Sequence, residues 1–305
     1  PELAERYAGQ KDTLQRLGLL ETLQSGELGI RAIDGKEYLY PSLQEVRRSM
    51  VSSKEVLKPK MEQGFRMPYL IPFGRKLSDF IDTEKNVLLA HHTAGTLLAT
   101  KQSPSDPEVQ LGLDVTTPVW VWNDYIDADV SEELLYDPQE LPSTADEPDA
   151  AKRKALSRGK TKQRILAAEG GFRLILLEDL PNIPRNGKGT ELSGRKQPEA
   201  GATAQQYLKL MQTNSHYAFE SGMTPEEQIL YAILHLEATN QVIDDYQGNG
   251  SVSYQIGGYF PASGYVPLAY WYRALRQAGL GGIVPDDSAS DIGVRGAVRI
   301  PLIKI

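Results

Sequence analysis

Leu14, Leu17, Leu20 and Leu23 recur at three-residue spacing between charged positions, which predicts a surface helix over Leu3 to Leu23, closed by Gly26. The runs Ile30 to Ile33 and Glu37 to Tyr40 flank Asp34-Gly35, a pair suited to the positive φ angles of a tight hairpin turn. Pro41-Ser42 then starts a second helix that reaches about Gly64. Tyr69 to Phe73 reads as a strand, Leu77 to Leu98 as a helix, and Val119 to Trp122 as a strand whose Trp120 and Trp122 share one face and are expected in the core. Pro138 to Gly159 has almost no large apolar residue and is expected as a solvated loop, the foremost site of disorder. Thr161 to Ala168 follows as a short helix and Phe172 to Leu177 as a buried strand, and the stretch from Pro181 to Gly201 as an irregular connection. Two more helices are predicted, Ala204 to Gln212 and Pro225 to Val242, the second opened by Thr224-Pro225-Glu226-Glu227. Beyond Asp245 the helical period stops, and Gly, aromatic residues, Ser and Pro point to short strands and ordered loops.

This order of elements predicts an α+β protein with a small antiparallel sheet, helices such as Pro225 to Val242 on one side, and Ala297 to Ile300 inside the sheet. With 305 residues and 40% hydrophobic content the chain can bury an ordinary core. Its 33 basic and 40 acidic residues leave a net charge of −7, so no chain-wide positive field exists to hold nucleic acid. There is no cysteine, which removes thiolate nucleophiles, disulfides and cysteine-based metal sites. No apolar run approaches the roughly 20 residues that cross a bilayer, and Pro1 to Arg6 lack the basic and apolar regions of a signal peptide. A cytoplasmic or particle-associated protein is the expectation.

Motifs for specific chemistry fail on spacing. Gly159-Lys160-Thr161 ends like a phosphate-binding loop, but Lys154 stands where that loop needs its first glycine. His91-His92 and His235 with Glu237 lack the i, i+4 spacing of two metal ligands on a helix. Asp244, Asp245 and Asn249 lack the alternation of a calcium loop, and Ser263 lacks the first glycine of a nucleophile elbow. No catalytic residue, cofactor or metal is therefore assigned.

The informative stretch is Tyr259-Phe260-Pro261-Ala262-Ser263-Gly264-Tyr265, then Tyr270-Trp271-Tyr272-Arg273, then Asp291-Ile292-Gly293-Val294-Arg295-Gly296-Ala297-Val298-Arg299-Ile300. It resembles the C-terminal half of C-type lectin-like domains of the formylglycine-generating-enzyme type, and among these the variable proteins of diversity-generating retroelements. The resemblance covers about the last 55 residues. It implies a C-type lectin-like domain over residues 65–305, with a variable region at about 265–300 rewritten by adenine-directed mutagenesis. Residues 1–64 match no lectin-like element and are expected as a separate helical and hairpin segment. Composition agrees independently: with 16 Lys and 22 Glu, an even spread would place about eight between Ala238 and Ile303, and that stretch holds none. Strands and glycine-rich turns are themselves poor in Lys and Glu, which accounts for part of the deficit. Adenine mutation of AAC codons cannot produce Lys, Glu, Gln, Met or Trp, and Leu268 to Gly296 holds only Trp271 and Gln277 of these.

On this resemblance Trp271, Arg273, Gly293, Arg295, Val298 and Arg299 fix the backbone. The displayed ligand-binding set is Leu268, Tyr272, Ala274, Leu275, Ile283, Pro285, Asp286, Asp287, Ser288, Ser290 and Ile292. Their mixed chemistry follows neither a helix nor a strand period, as on a surface selected for contact. The implied function is non-enzymatic binding of a protein or surface ligand. The alternatives are an enzyme of the formylglycine-generating type, which the missing cysteine deprives of a thiol route, and a structural protein of a viral or cell-surface particle.

Overall fold

The computed structural model describes residues 2–304. Helix α1 (Glu2–Arg16) leads into a three-stranded antiparallel sheet of β1 (Glu21–Thr22), β2 (Leu28–Arg31) and β3 (Glu37–Leu39). Helices α2 (Leu43–Ser52) and α3 (Lys54–Glu62) follow, then β4 (Phe65–Ile71) and the long α4 (Leu77–Ala94). The middle of the chain holds β5 (Val119–Val121), β6 (Leu135–Tyr136), α5 (Ala150–Ser157), α6 (Lys162–Glu169) and β7 (Arg173–Glu178). A small hairpin of β8 (Glu191–Leu192) and β9 (Arg195–Lys196) precedes α7 (Ala204–Thr213), β10 (Glu220–Gly222) and α8 (Pro225–Thr239). The end of the chain is all β: β11 (Asp245–Tyr246), β12 (Val252–Tyr254), β13 (Gly258–Tyr259), β14 (Val266–Tyr272), β15 (Gln277–Ile283), β16 (Ile292–Val294) and β17 (Gly296–Ile300).

The class is α+β, with two main sheets. One is antiparallel throughout, in the order β10-β17-β7-β4, so Gly296–Ile300 lies inside a sheet as the sequence predicts. Every residue of β7 is buried, the consequence of its unbroken apolar run between two neighbours. The other sheet runs β16-β12-β14-β15-β5, with β11 beside β14. Its centre is the antiparallel hairpin β14/β15, in register from Val266 opposite Ile283 to Tyr272 opposite Gln277.

Helix α8 packs against α4, β4 and β14 and so joins the two sheets. Its start is fixed by Thr224, whose hydroxyl accepts the Glu227 N–H while the Glu227 carboxylate accepts the Thr224 N–H; Pro225 at the first helical position needs no donor. The same reciprocal cap, Ser42 with Glu45, starts α2.

Several expectations are corrected. The first helix ends at Arg16, because Gly18 takes φ 75° and lets Leu19 donate to the Leu14 carbonyl and Gly18 to that of Gln15. Leu19 and Leu20 reach the core from the turn instead, and Leu23 is buried just after β1. In the Asp34-Gly35 turn only Gly35 has positive φ, 77°, so the hairpin closes through a wider loop than a two-residue turn of mirror-image type. The helix expected to run from Ser42 to Gly64 breaks at Ser53 into α2 and α3. The helices expected to reach Leu98 and Val242 stop at Ala94 and Thr239, where Gly95 and Asn240 adopt the left-handed conformation.

The stretch 138–159 is ordered and contains α5. Arg153 explains it: the buried guanidinium donates to the carbonyls of Pro261, Glu147 and Ala262 at 2.9, 2.7 and 2.8 Å, pinning the segment to the turn before β14. Nor is the N-terminal segment packed apart. Leu14, Ile30, Val46 and Leu57 belong to the same hydrophobic cluster as β7 and α8. The Gln10 side chain exchanges two hydrogen bonds with the Leu70 backbone of β4, at 2.9 and 3.1 Å. Among the described residues no helix is long and apolar enough to cross a membrane.

Candidate ligand-binding surface

Residues of β14 alternate between two faces of the second sheet. Ala269 and Trp271, with Ala278 and Leu280 of β15, enter the core shared with α4 and α8, and Trp271 is only 2% exposed. Behind Trp271 lies a cavity of about 40 Å³ lined also by Glu84, Gln228 and Asp244. Glu84 Oε2 has no hydrogen-bond partner there, and burial pushes its carboxyl up to about 8.

Val266, Leu268, Tyr270 and Tyr272 point to the other face. Helix α7 covers part of this face: Ala204, Tyr207 and Met211 pack in one cluster with Val252, Tyr254, Val266, Leu268 and Ile292. The remaining part carries Tyr246, Tyr270 and Tyr272, each half-buried, with ring centroids 5.3 to 6.2 Å apart; Tyr270 meets the other two edge to face, and Tyr246 and Tyr272 are tilted to each other. Beneath them β15 presents glycines. A side-chain carbon on Gly279 would stand 2.6 Å from the Tyr270 ring, so only glycine lets that ring lie down on the strand. One on Gly281 would meet the Trp120 ring at 3.6 Å. Trp120, on the edge strand β5, is 41% exposed and extends the aromatic surface. The expectation that it fills the core is corrected. Trp122 does pack, edge-on to Phe260 and stacked on Tyr265 with centroids 5.3 Å apart.

The six residues expected to fix the backbone are each held by specific partners or close packing. Arg273 grips Asp245 with two bonds of 2.7 Å, which fastens β11 to β14 beneath Tyr246 and Tyr272. Arg295, 2% exposed, donates to Asp244 at 3.0 Å and lies 5.0 Å from the Tyr231 ring centre. Burial raises the Asp244 carboxyl to about 6 against the opposing pull of Arg295 and the Gln228 amide. Arg299 clamps Glu227 through two bonds of 2.9 Å. Val298 is wholly buried, and any side chain on Gly293 would begin 2.6 Å from Ile183 and 3.1 Å from the Ala200 backbone.

The expected display set divides. Ala274 and Leu275 are exposed at the tip of the β14/β15 hairpin, Leu275 by 51%. Asp286, Asp287, Ser288 and Ser290 are exposed in the loop after β15. Seven residues of β15 separate the two groups, about 23 Å of strand. Tyr272 and Ile283 are half-buried between them. Leu268, Pro285 and Ile292 are buried and display nothing, which corrects their place in the set; α7 lies over Leu268 and Ile292, and Gln205 of α7 donates its N–H to the Pro285 carbonyl. Tyr246, Tyr270 and Trp120 were not in the set. The signal was present in part: Tyr270 and Tyr272 are two residues apart in a strand, and Gly279 and Gly281 repeat at the same period.

Comparison with protein-family models, curated proteins and solved structures finds no match to the chain.

Proposed function

We propose that the chain is a ligand-binding protein of receptor or adhesion type, built on a C-type lectin-like scaffold and diversified by retroelement-directed adenine mutagenesis. The observation that carries this reading is the uncovered part of the second sheet. There Tyr246, Tyr270, Tyr272 and Trp120 stand over glycines beside the Ala274-Leu275 tip, and residues 238–303 hold no Lys or Glu. Large rigid aromatic rings give contact area at low entropic cost, which suits a protein or surface ligand. The close packing of Trp271, Arg295 and Val298 supports the same reading, since a face can vary only where the residues beneath it are fixed by other contacts. Sequencing the DNA beside the gene tests it. An adenine-rich near-repeat of the codons for Tyr265 to Ile300, with mismatches concentrated at codons for exposed residues, is the expected result. A locus without such a repeat would overturn the diversification. Simultaneous loss of binding to all captured ligands on replacing Tyr270 and Trp120 tests the aromatic surface separately.

A further inference from the structure

Lys162, at the start of α6, is completely buried, and its Nζ meets three oxygens: Asp129 Oδ2 at 2.7 Å, Glu226 Oε1 at 2.8 Å and the Arg75 carbonyl at 2.8 Å. Both carboxylates are buried as deeply as the amine. The surroundings are aromatic, with the ring centres of Phe73 and Tyr136 at 5.2 and 5.8 Å from Nζ. One ammonium facing two carboxylates away from water is a costly arrangement to maintain as separate ions. The nearby Arg173, stacked on Phe73, is committed to Asp137, Glu169 and Glu227.

We infer that Lys162 and Asp129 are placed to condense into an intramolecular isopeptide bond, with Glu226 carrying the proton between them. Glu226 takes a proton from the Lys162 ammonium, and the freed amine attacks Asp129 Cγ. The N–C bond forms and one Asp129 C–O bond breaks. The departing oxygen leaves as water with the two protons lost from nitrogen, one of them delivered by Glu226, which returns to its starting state. An ammonium and a carboxylate become a neutral amide and water, so no oxidant or co-reactant is needed.

The roles follow from the contacts. Asp129 Oδ2 accepts both the Lys162 ammonium and the Leu77 backbone N–H at 2.9 Å, and two donors on one oxygen draw electron density from the carboxyl carbon. Glu226 Oε1 accepts the Tyr136 hydroxyl at 2.6 Å, while its Oε2 has no partner and is free to receive a proton. A second buried lysine shows what such a site must avoid. Lys60 lies 2.7 Å from Glu220, but Arg195 grips both oxygens of that carboxylate at 2.7 and 2.8 Å and occupies the group the amine would attack. Among the described residues no arginine pairs with Asp129 or Glu226. The bond would close a loop of 33 residues and lock the segment before β6 to α6, at the foot of α4 and α8.

The test is the intact mass of the purified, denatured wild-type chain. It should fall short of the sequence mass by one water, and a protease digest should contain a branched peptide joining Lys162 to Asp129. Lys162→Met and Asp129→Ala should restore the full mass. Asp129→Asn should lose ammonia in place of water. Glu226→Gln should slow the loss at least tenfold. Full sequence mass in aged, natively folded wild-type protein would overturn the proposal, and needs no variant to fold. A branched peptide joining Lys162 to Glu226 would overturn the assigned roles, as would an unchanged rate in Glu226→Gln.

Discussion

Trp271 and Tyr272 are neighbours in β14 and have opposite fates. The first faces α4 and α8, and the second faces outward beside Tyr246 and Tyr270. Both are large aromatics, so residue type does not decide. The decision lies in what covers each side of the sheet: α4 and α8 pack against the face that carries Ala269 and Trp271, whereas α7 covers only part of the other. A strand can therefore be fixed at every second residue and free at those between, so exposed side chains can change without disturbing the buried ones.

The largest test of this contrast is a pair of truncations compared in urea melts. Trp271→Ala should cost about 3–5 kcal/mol, the range for a buried large aromatic, and Tyr272→Ala roughly 1 kcal/mol or less. A less stable Tyr272 variant would invert the two faces. Next in size is the pH dependence of the covered side. Burial raises the Glu84 carboxyl in the fold to about 8 from an ordinary value of 4.5. The folded state thus holds its proton more tightly than the unfolded state. The contribution of Glu84 to stability should be greatest below pH 4.5, decline as pH rises from there through about 8, and level off above. Glu84→Gln should flatten that decline and be the more stable protein at pH 9, by roughly 2–4 kcal/mol. Denaturant midpoints at pH 5, 7 and 9 measure it, and parallel curves for the two proteins would sink the assignment.

A smaller effect separates two glycines on the open face. Gly279→Ala should cost about 1–3 kcal/mol and lift the Tyr270 ring, because its new carbon would begin 2.6 Å from that ring. Gly281→Ala finds ordinary contact at 3.6 Å and should cost less than Gly279→Ala. Smallest of all, replacing Asp286, Asp287 and Ser288 together should leave the thermal midpoint almost unchanged, since exposed loop substitutions each shift stability by less than about 0.5 kcal/mol. Loss of cooperative unfolding in that triple variant would mean that the loop is part of the scaffold.

Local signals were legible in the sequence where the physics is local. The caps at Ser42 and Thr224, the buried run of β7 and the end of the helical period near Asp245 depend on residues a few positions apart. What failed depends on distant partners. Nothing near Leu268 or Ile292 announces that α7, from residues 204–213, will lie over them. Trp120 is exposed because β5 falls at the edge of its sheet, a matter of strand order and not of its own neighbours. The ordering of 138–159 rests partly on Arg153, whose long stem and charged head look solvent-seeking until the carbonyls of Glu147, Pro261 and Ala262 converge on it, and partly on Leu141 and Ser143 being buried. Gly26 was taken as the end of the first helix because the leucines continue past Gly18, although the helix stops before Gly18.

The paired hydrogen bonds between Gln10 and Leu70 have a further consequence. Strand β4 is the last of its sheet, and its outer rim of N–H and C=O groups could template another chain. An amide side chain has both N–H donors and a carbonyl acceptor, as a neighbouring strand would, so Gln10 imitates a strand at Leu70 and occupies the rim there. The first helix thereby acts as an internal guard against polymerisation. If the open face is diversified as proposed, such a guard would keep self-association independent of whatever side chains that face comes to carry.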